Sequence, residues 1–163
     1  MSIVGRIAGV AILAVAFLQA GCATTPEARF ATLGPLRTAL STSPEMLRLR
    51  ADKNDAQAQM ALSLLYEYGQ GGLEKDPAQA LLLRHRATVQ RGSTPISIYT
   101  PGINGKPGRV SMIFVPRYDV SPGQAAVNAA CAGALARSDR SPKGVEPCGG
   151  EARYDQLAAS WGR

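Results

Sequence analysis

Three cysteines and a single histidine are the residues of this 163-residue chain best suited to chemistry. Cys22 closes an N-terminal apolar run, Cys131 and Cys148 lie near the other end, and His85 stands between Arg84 and Arg86. Two cysteines and one histidine are too few, and too irregularly spaced, for a zinc site; no metal and no cofactor is implied. His85 has no neighbouring nucleophile to activate, and a triad demands close mutual geometry. Glu67, Glu74, Asp55 and Asp76 form no acid–base pair in sequence, although distant carboxylates can meet in a fold, as glycoside hydrolysis requires. Gly69-Gln70-Gly71-Gly72 lacks the preceding strand and the following Gly-Lys-Ser/Thr of a phosphate loop. No catalytic residue is assigned.

Cys22 has a more particular setting. Met1 to Arg6 carries one positive charge, Ile7 to Leu18 is apolar and uncharged, and Ala20-Gly21 supplies small residues before the cysteine. That is the three-part build of a secretory signal, and the apolar run is shorter than the roughly 20 residues that span a bilayer. Gln19-Ala20-Gly21-Cys22 resembles the bacterial lipobox, with Gln19 where an aliphatic residue is usual and Leu18 one place earlier. The resemblance implies that the Cys22 thiol receives diacylglycerol, that residues 1–21 are removed, and that the mature chain carries three acyl chains. Stable anchoring takes at least two. Ala23, where the resembled class uses aspartate for inner-membrane retention, implies an outer-membrane protein facing the periplasm if the source is Gram-negative. Otherwise the cell membrane is implied.

Removal of residues 1–21 leaves 142 residues with 17 basic and 12 acidic side chains, a formal charge of +5. Such a surface suits anionic headgroups, acidic glycan or an acidic partner, or serves solubility alone. The cations are spread without interleaved aromatics, and an exported chain rarely meets nucleic acid, so nucleic-acid binding is excluded. In an oxidising compartment Cys131 and Cys148 are expected to form one disulfide.

Residues 22–43 read as a lipidated tether passing into weak helix, interrupted at Gly34-Pro35. Ser43-Pro44 starts a short amphipathic helix carrying Met46, Leu47 and Leu49. Asp55 can cap a helix in which Ala58, Ala61, Leu62, Leu65 and Tyr66 recur at three- and four-residue steps, ended by Gly69, Gly71 and Gly72. Asp76-Pro77 opens a second, with Ala80, Leu81, Leu83 and Ala87 on its apolar face and Gly92 as its stop. This run resembles a single Sel-one-like repeat, a relative of the tetratricopeptide repeat: Leu62, Tyr66, Gly69, Gly71, Asp76, Ala80 and Ala87 fall on the family's positions. Ser63 replaces a glycine, Gly72 is an extra residue, and Leu83-Arg84 and Thr88 replace the usual Trp-Tyr and final alanine. The resemblance covers about 38 residues and implies a helical hairpin used as a protein-binding scaffold. It makes Tyr66 a packing residue and leaves Tyr68, Arg84 and His85 as candidate partner-binding residues.

Beyond residue 92 the pattern changes. Asn104-Gly105 between two β-rich runs, Ile96 to Tyr118, predicts a hairpin, with Pro101 and Pro107 limiting pairing at its tip. An isolated hairpin is marginal in water, so this one is expected to lie on a helix or a partner. Ser121-Pro122 with Gln124 predicts a capped helix whose buried stripe is Val127, Ala130, Cys131 and Ala134. Cys148 is expected to staple the following turn to it. Tyr154 to Trp161 reads as a last short helix. The fold class is mainly α, α+β overall. The expected divisions are a signal (1–21), a tether (22–43), the repeat region (44–92) and a disulfide-stapled ββα unit (93–163).

Two functions follow. One is a lipid-anchored module that binds or assembles an envelope protein complex, as pilotins with related repeats do; tethering raises local concentration, so modest affinity suffices. The other is a peptidoglycan-directed enzyme or inhibitor. A groove lined by Tyr99, Arg109, Arg117 and Tyr118 would favour the second, and an apolar groove on the repeat the first. Self-pairing is left open.

Overall fold

The computed structural model describes residues 25–162. Its elements in chain order are α1 (Pro26–Thr32), α2 (Gly34–Ser41), α3 (Pro44–Asp52), α4 (Ala56–Tyr68), α5 (Pro77–Ala87), β1 (Gly92–Thr100), β2 (Arg109–Arg117), α6 (Pro122–Ala136), α7 (Pro142–Val145), a 3-10 turn (Glu146–Cys148) and α8 (Glu151–Ala158). The fold is mainly helical with one small sheet, α+β as the sequence predicts.

Five helices open on the same two-residue device. Thr25-Pro26, Ser43-Pro44, Asp76-Pro77, Ser121-Pro122 and Ser141-Pro142 each set a side-chain oxygen to accept from the backbone N–H three residues on, with proline in the first turn. The oxygen satisfies an amide with no helical acceptor, and proline there forfeits a donor that would stand idle. Asp55 caps α4 in the same way without proline, and Gly69, at φ 65°, ends it in the left-handed region that glycine tolerates.

α4 is the centre of the molecule. Ala58, Ala61, Leu62 and Leu65 pack with Leu47 of α3 and Leu83 of α5. Met60 and Leu64 join a second cluster with Leu33, Leu36, Leu135 and Tyr154. Burial on both sides brings two polar residues inside, and each finds a local acceptor. Ser63 Oγ donates to the Met60 carbonyl at 2.7 Å, and Gln59 Nε2 to the Ala51 carbonyl at 3.1 Å.

The second cluster corrects two expectations. Residues 26–41 are two helices rather than a tether, and Leu33 and Leu36 are fully buried. Leu33 and Leu36 pack beside residues of α4, α6 and α8, so no separate core divides 44–92 from 93–163. The buried stripe of α6 is also displaced. It runs through Ala125, Asn128, Cys131, Ala132, Ala134 and Leu135, so Cys131 and Ala134 are buried as predicted, while Val127 is half-buried and Ala130 exposed. Asn128 is the reason. Its Nδ2 donates to the carbonyls of Thr32 (2.9 Å) and Gln124 (2.8 Å), and its Oδ1 accepts from Leu36 N–H at 2.9 Å. A fully buried amide thus welds the α1–α2 junction to α6.

Cys131 and Cys148 form the expected disulfide, joining α6 to the 3-10 turn. α8 closes this end: Tyr154 OH donates to the Ala134 carbonyl at 3.4 Å, and Trp161 meets Tyr68 edge-on at 5.8 Å. Arg29 pairs with Glu146 at 2.6 Å, and Arg153 lies 4.6 Å over the Phe30 ring, fastening α1 to the C-terminal turns.

β1 and β2 pair antiparallel from Gly92↔Arg117 to Thr100↔Arg109. Asn104 (φ 56°) and Gly105 (φ 76°) are the centre of the connecting turn, the left-handed pair that the Asn-Gly signal calls for. Gly92 is not a helix stop: α5 ends at Ala87, and Gly92 opens β1 four residues before the predicted strand. The larger difference concerns support. Apart from Gly92 and Ser111, every residue of both strands is exposed, so no helix covers either face of the ribbon.

Candidate functional site

Cross-strand partners share a face, so the register sorts the ribbon's side chains. Ile96, Ile98, Ile113 and Val115 lie on one face with Arg109 and Arg117. Tyr99, Val110, Met112 and Phe114 lie on the other, with no charge among them. The first four side chains are 39–44% exposed and the second four 61–67%. Both faces are apolar, and the uncharged one stands furthest into solvent. Ile103 at the tip is more exposed still. A contiguous exposed apolar patch of this kind marks an interaction surface.

The repeat-like region offers a second surface. α4 and α5 pack as a helical hairpin, with α3 on α4. Ala80, Leu83 and Ala87 of α5 point into the core, leaving Leu81, Leu82, His85 and Arg86 on the outer face. Residues at i and i+4 adjoin on a helix, so the two leucines sit directly beside the histidine and the arginine. On α3, Met46 and Leu49 are exposed in the same manner.

Of the three candidate partner-binding residues, only His85 is a free surface group. Tyr68 is half-buried; its OH donates to the Ala129 carbonyl at 3.4 Å, and burial pushes its pKa up against the lowering effect of Arg137. Arg84 forms an ion pair with Glu67 across the helical hairpin, and burial lowers its pKa. Tyr68 and Arg84 thus also serve as internal ties. Tyr66 is half-buried as a packing residue, and its OH accepts from Arg48 at 3.1 Å.

The groove that would favour peptidoglycan chemistry does not assemble. Tyr99 lies on the face opposite Arg109 and Arg117, and the two arginines stand at opposite ends of β2. Nor is the cleft beside α3 and α4 apolar: about 470 Å³ in volume, it is lined by Arg48, Tyr66, Glu74, Lys75 and Asp76. The apolar groove lies elsewhere, between α1 and α6, with about 510 Å³ bounded by Thr32, Ala126, Val127, Ala130 and Pro147. Among the described residues no three His, Cys, Asp or Glu side chains gather as a metal site.

Two carboxylates are held below their ordinary pKa. Burial raises Asp55, but the Ala58 N–H, the Arg50 hydrogen bond and charge, and the Gln57 N–H together outweigh it. Asp139 is lowered chiefly by the Ser141 hydroxyl and Ser141 N–H. Both organise turns: Asp55 caps α4, and Asp139 accepts from Ser141 N–H at 3.0 Å.

No match is found among protein-family models, curated proteins or solved structures. Among the described residues no helix is long and apolar enough to cross a membrane. Cys22 and the expected signal segment lie outside the described residues. α1 begins at Pro26, so three residues, Ala23 to Thr25, separate the lipidation candidate from it in sequence.

Proposed function

We propose that the protein is a lipid-anchored envelope module that binds a partner protein through its repeat-like helical unit, rather than a catalyst. The observation that carries this reading is the outer face of α5, where Leu81 and Leu82 remain exposed on a helix whose other face is packed. In stacked repeats such a face is covered by the next unit. Here the chain turns away into β1, leaving the position open to another protein. His85 and Arg86 rim the leucines and favour a partner with acidic residues around an apolar stripe. The lipid on Cys22 would confine this encounter to the membrane surface, where modest affinity suffices.

The test is site-specific photocrosslinking in cells, with the crosslinker at Leu82 and, as control, at Gln90. The expected result is one dominant envelope protein captured from position 82 and lost with Leu81→Asp. Capture of glycan alone, or of nothing, refutes the reading and moves it to peptidoglycan. In parallel, the N-terminal peptide of the parent is expected to carry a lipid mass on Cys22 that Cys22→Ala loses. An unmodified N-terminal peptide in the parent refutes the anchor without touching the α5 surface.

A further inference from the structure

The ribbon is a separate surface from α5, and its charge is one-sided. From Pro77 through Tyr118 the chain contains no aspartate or glutamate but six lysines and arginines. Two of the six, Arg84 and Arg91, are paired with Glu67 and Asp119. Lys106, Arg109 and Arg117 belong to the ribbon and form no ion pair among the described residues.

We propose that the uncharged face of the β1–β2 ribbon docks on an anionic lipid bilayer, with Tyr99, Val110, Met112 and Phe114 entering the headgroup–acyl boundary and Lys106, Arg109 and Arg117 meeting lipid phosphates. Four observations converge on a bilayer. The most exposed face is also the uncharged one, so it can be desolvated without stranding a charge. The arginines stand at the two ends of β2, and a side chain of that length can keep its charge in the headgroup layer while the ribbon's apolar face is buried. A nine-residue strand is about 30 Å long, a flat contact that suits a planar surface. The deficit of acid matches an anionic surface, and each such cation near it favours binding about fivefold.

The same features argue against the other occupants. Two copies stacked through this face would leave Lys106, Arg109 and Arg117 of each without an anionic counterpart. A spanning hairpin would leave both outer strand edges unpaired in hydrocarbon, which is forbidden unless a barrel closes. The ribbon therefore lies on the membrane rather than through it. A lone hairpin is marginal in water, so the bilayer supplies the missing layer and orders it.

The decisive experiment uses the chain from Cys22 with Cys22→Ser, so that no lipid contributes and the outcome does not depend on the anchor. Among the described residues, all buried side chains lie between Leu33 and Leu157, so this chain keeps every one of them. Sedimentation with vesicles of phosphatidylcholine alone is compared with vesicles containing three parts in ten of phosphatidylglycerol. Binding is expected to the anionic vesicles and to fall as salt rises. Lys106→Glu with Arg109→Glu should weaken it about thirtyfold or more, and Met112→Asp with Phe114→Asp should abolish it. Phe114→Trp should show a blue-shifted emission component on binding. Urea unfolding of each variant should match the parent, because none of these side chains enters the core. Equal binding to neutral and anionic vesicles, or parental binding by the variants, overturns the proposal. So does an absence of binding. In that case a concentration-dependent dimer dissolved by Phe114→Asp would assign the face to a second copy.

Discussion

Asn128→Ala removes a side chain that ties three segments at once. The fully buried amide serves Leu36 N–H, the Thr32 carbonyl and the Gln124 carbonyl. The three losses are unequal. Thr32 keeps a second donor, Gln124 Nε2 at 3.2 Å, and the Gln124 carbonyl stays in the α6 ladder. Leu36 N–H lies in the first turn of α2, where no helical acceptor exists, and is left buried and bare. A stranded buried donor costs about 1–3 kcal/mol, and the vacated amide volume adds to it, so about 3 kcal/mol is expected in all. For a body of this size that is a fall of about 10 °C in Tm. The assay is urea unfolding of the oxidised protein at pH 7. A loss below about 1 kcal/mol would show that the junction relaxes and that the amide does not hold it. Asn128→Asp adds a sign. Burial raises its carboxyl pKa in the folded state, so its stability relative to the parent is greatest below the unfolded value, about 4, and declines as pH rises through the folded one. A difference flat in pH would refute the buried placement.

Reduction of the Cys131–Cys148 disulfide, which closes a 17-residue separation, is expected to cost about 3 kcal/mol, read by Tm with and without reductant. Both sulfurs are buried, so a thiol reagent should label the oxidised chain at neither position; labelling without reduction would refute the bridge. Asp55 has a depressed folded pKa, so its contribution is present above the unfolded value, about 4, and is lost as pH falls through the lower folded value. Asp55→Asn, which keeps the cap and drops the charge, should therefore flatten part of the acid limb of a stability–pH curve, and an unchanged limb refutes the assignment. Gly102→Ala should disorder the turn, since a Cβ there would overlap the Lys106 carbonyl; unaltered strand amide shifts by NMR would refute it.

Much of the architecture was legible because it is written locally. Ser43-Pro44, Asp76-Pro77 and Ser121-Pro122 announce helix starts through the chemistry of a cap, and Asn104-Gly105 announces the turn through its backbone preference. The disulfide followed from compartment rather than geometry. What stayed hidden depends on distant partners. Leu33 and Leu36 look like residues of a weak, proline-broken segment until α6 lies against them. Asn128 reads as a polar interruption of an apolar face because its three partners come from residues 32, 36 and 124. The candidate surfaces divided in the same way. Arg84 and Tyr68 looked free because Glu67, Ala129 and Trp161 are placed against them only by folding. The ribbon was legible as strands, but which of its faces is covered is a question about the whole molecule.

The enclosure of α4 on two sides sets one limit of a range of backbone protection, and the bare ribbon sets the other. Amides of α4 can exchange with solvent only when the whole body opens, so their slowest rates measure global stability. Those of β1 and β2 can open alone, because no core side chain moves with them. The chain thus behaves as two thermodynamic units on one backbone. The ribbon can melt, re-form or fold onto a surface while the helical body keeps its shape.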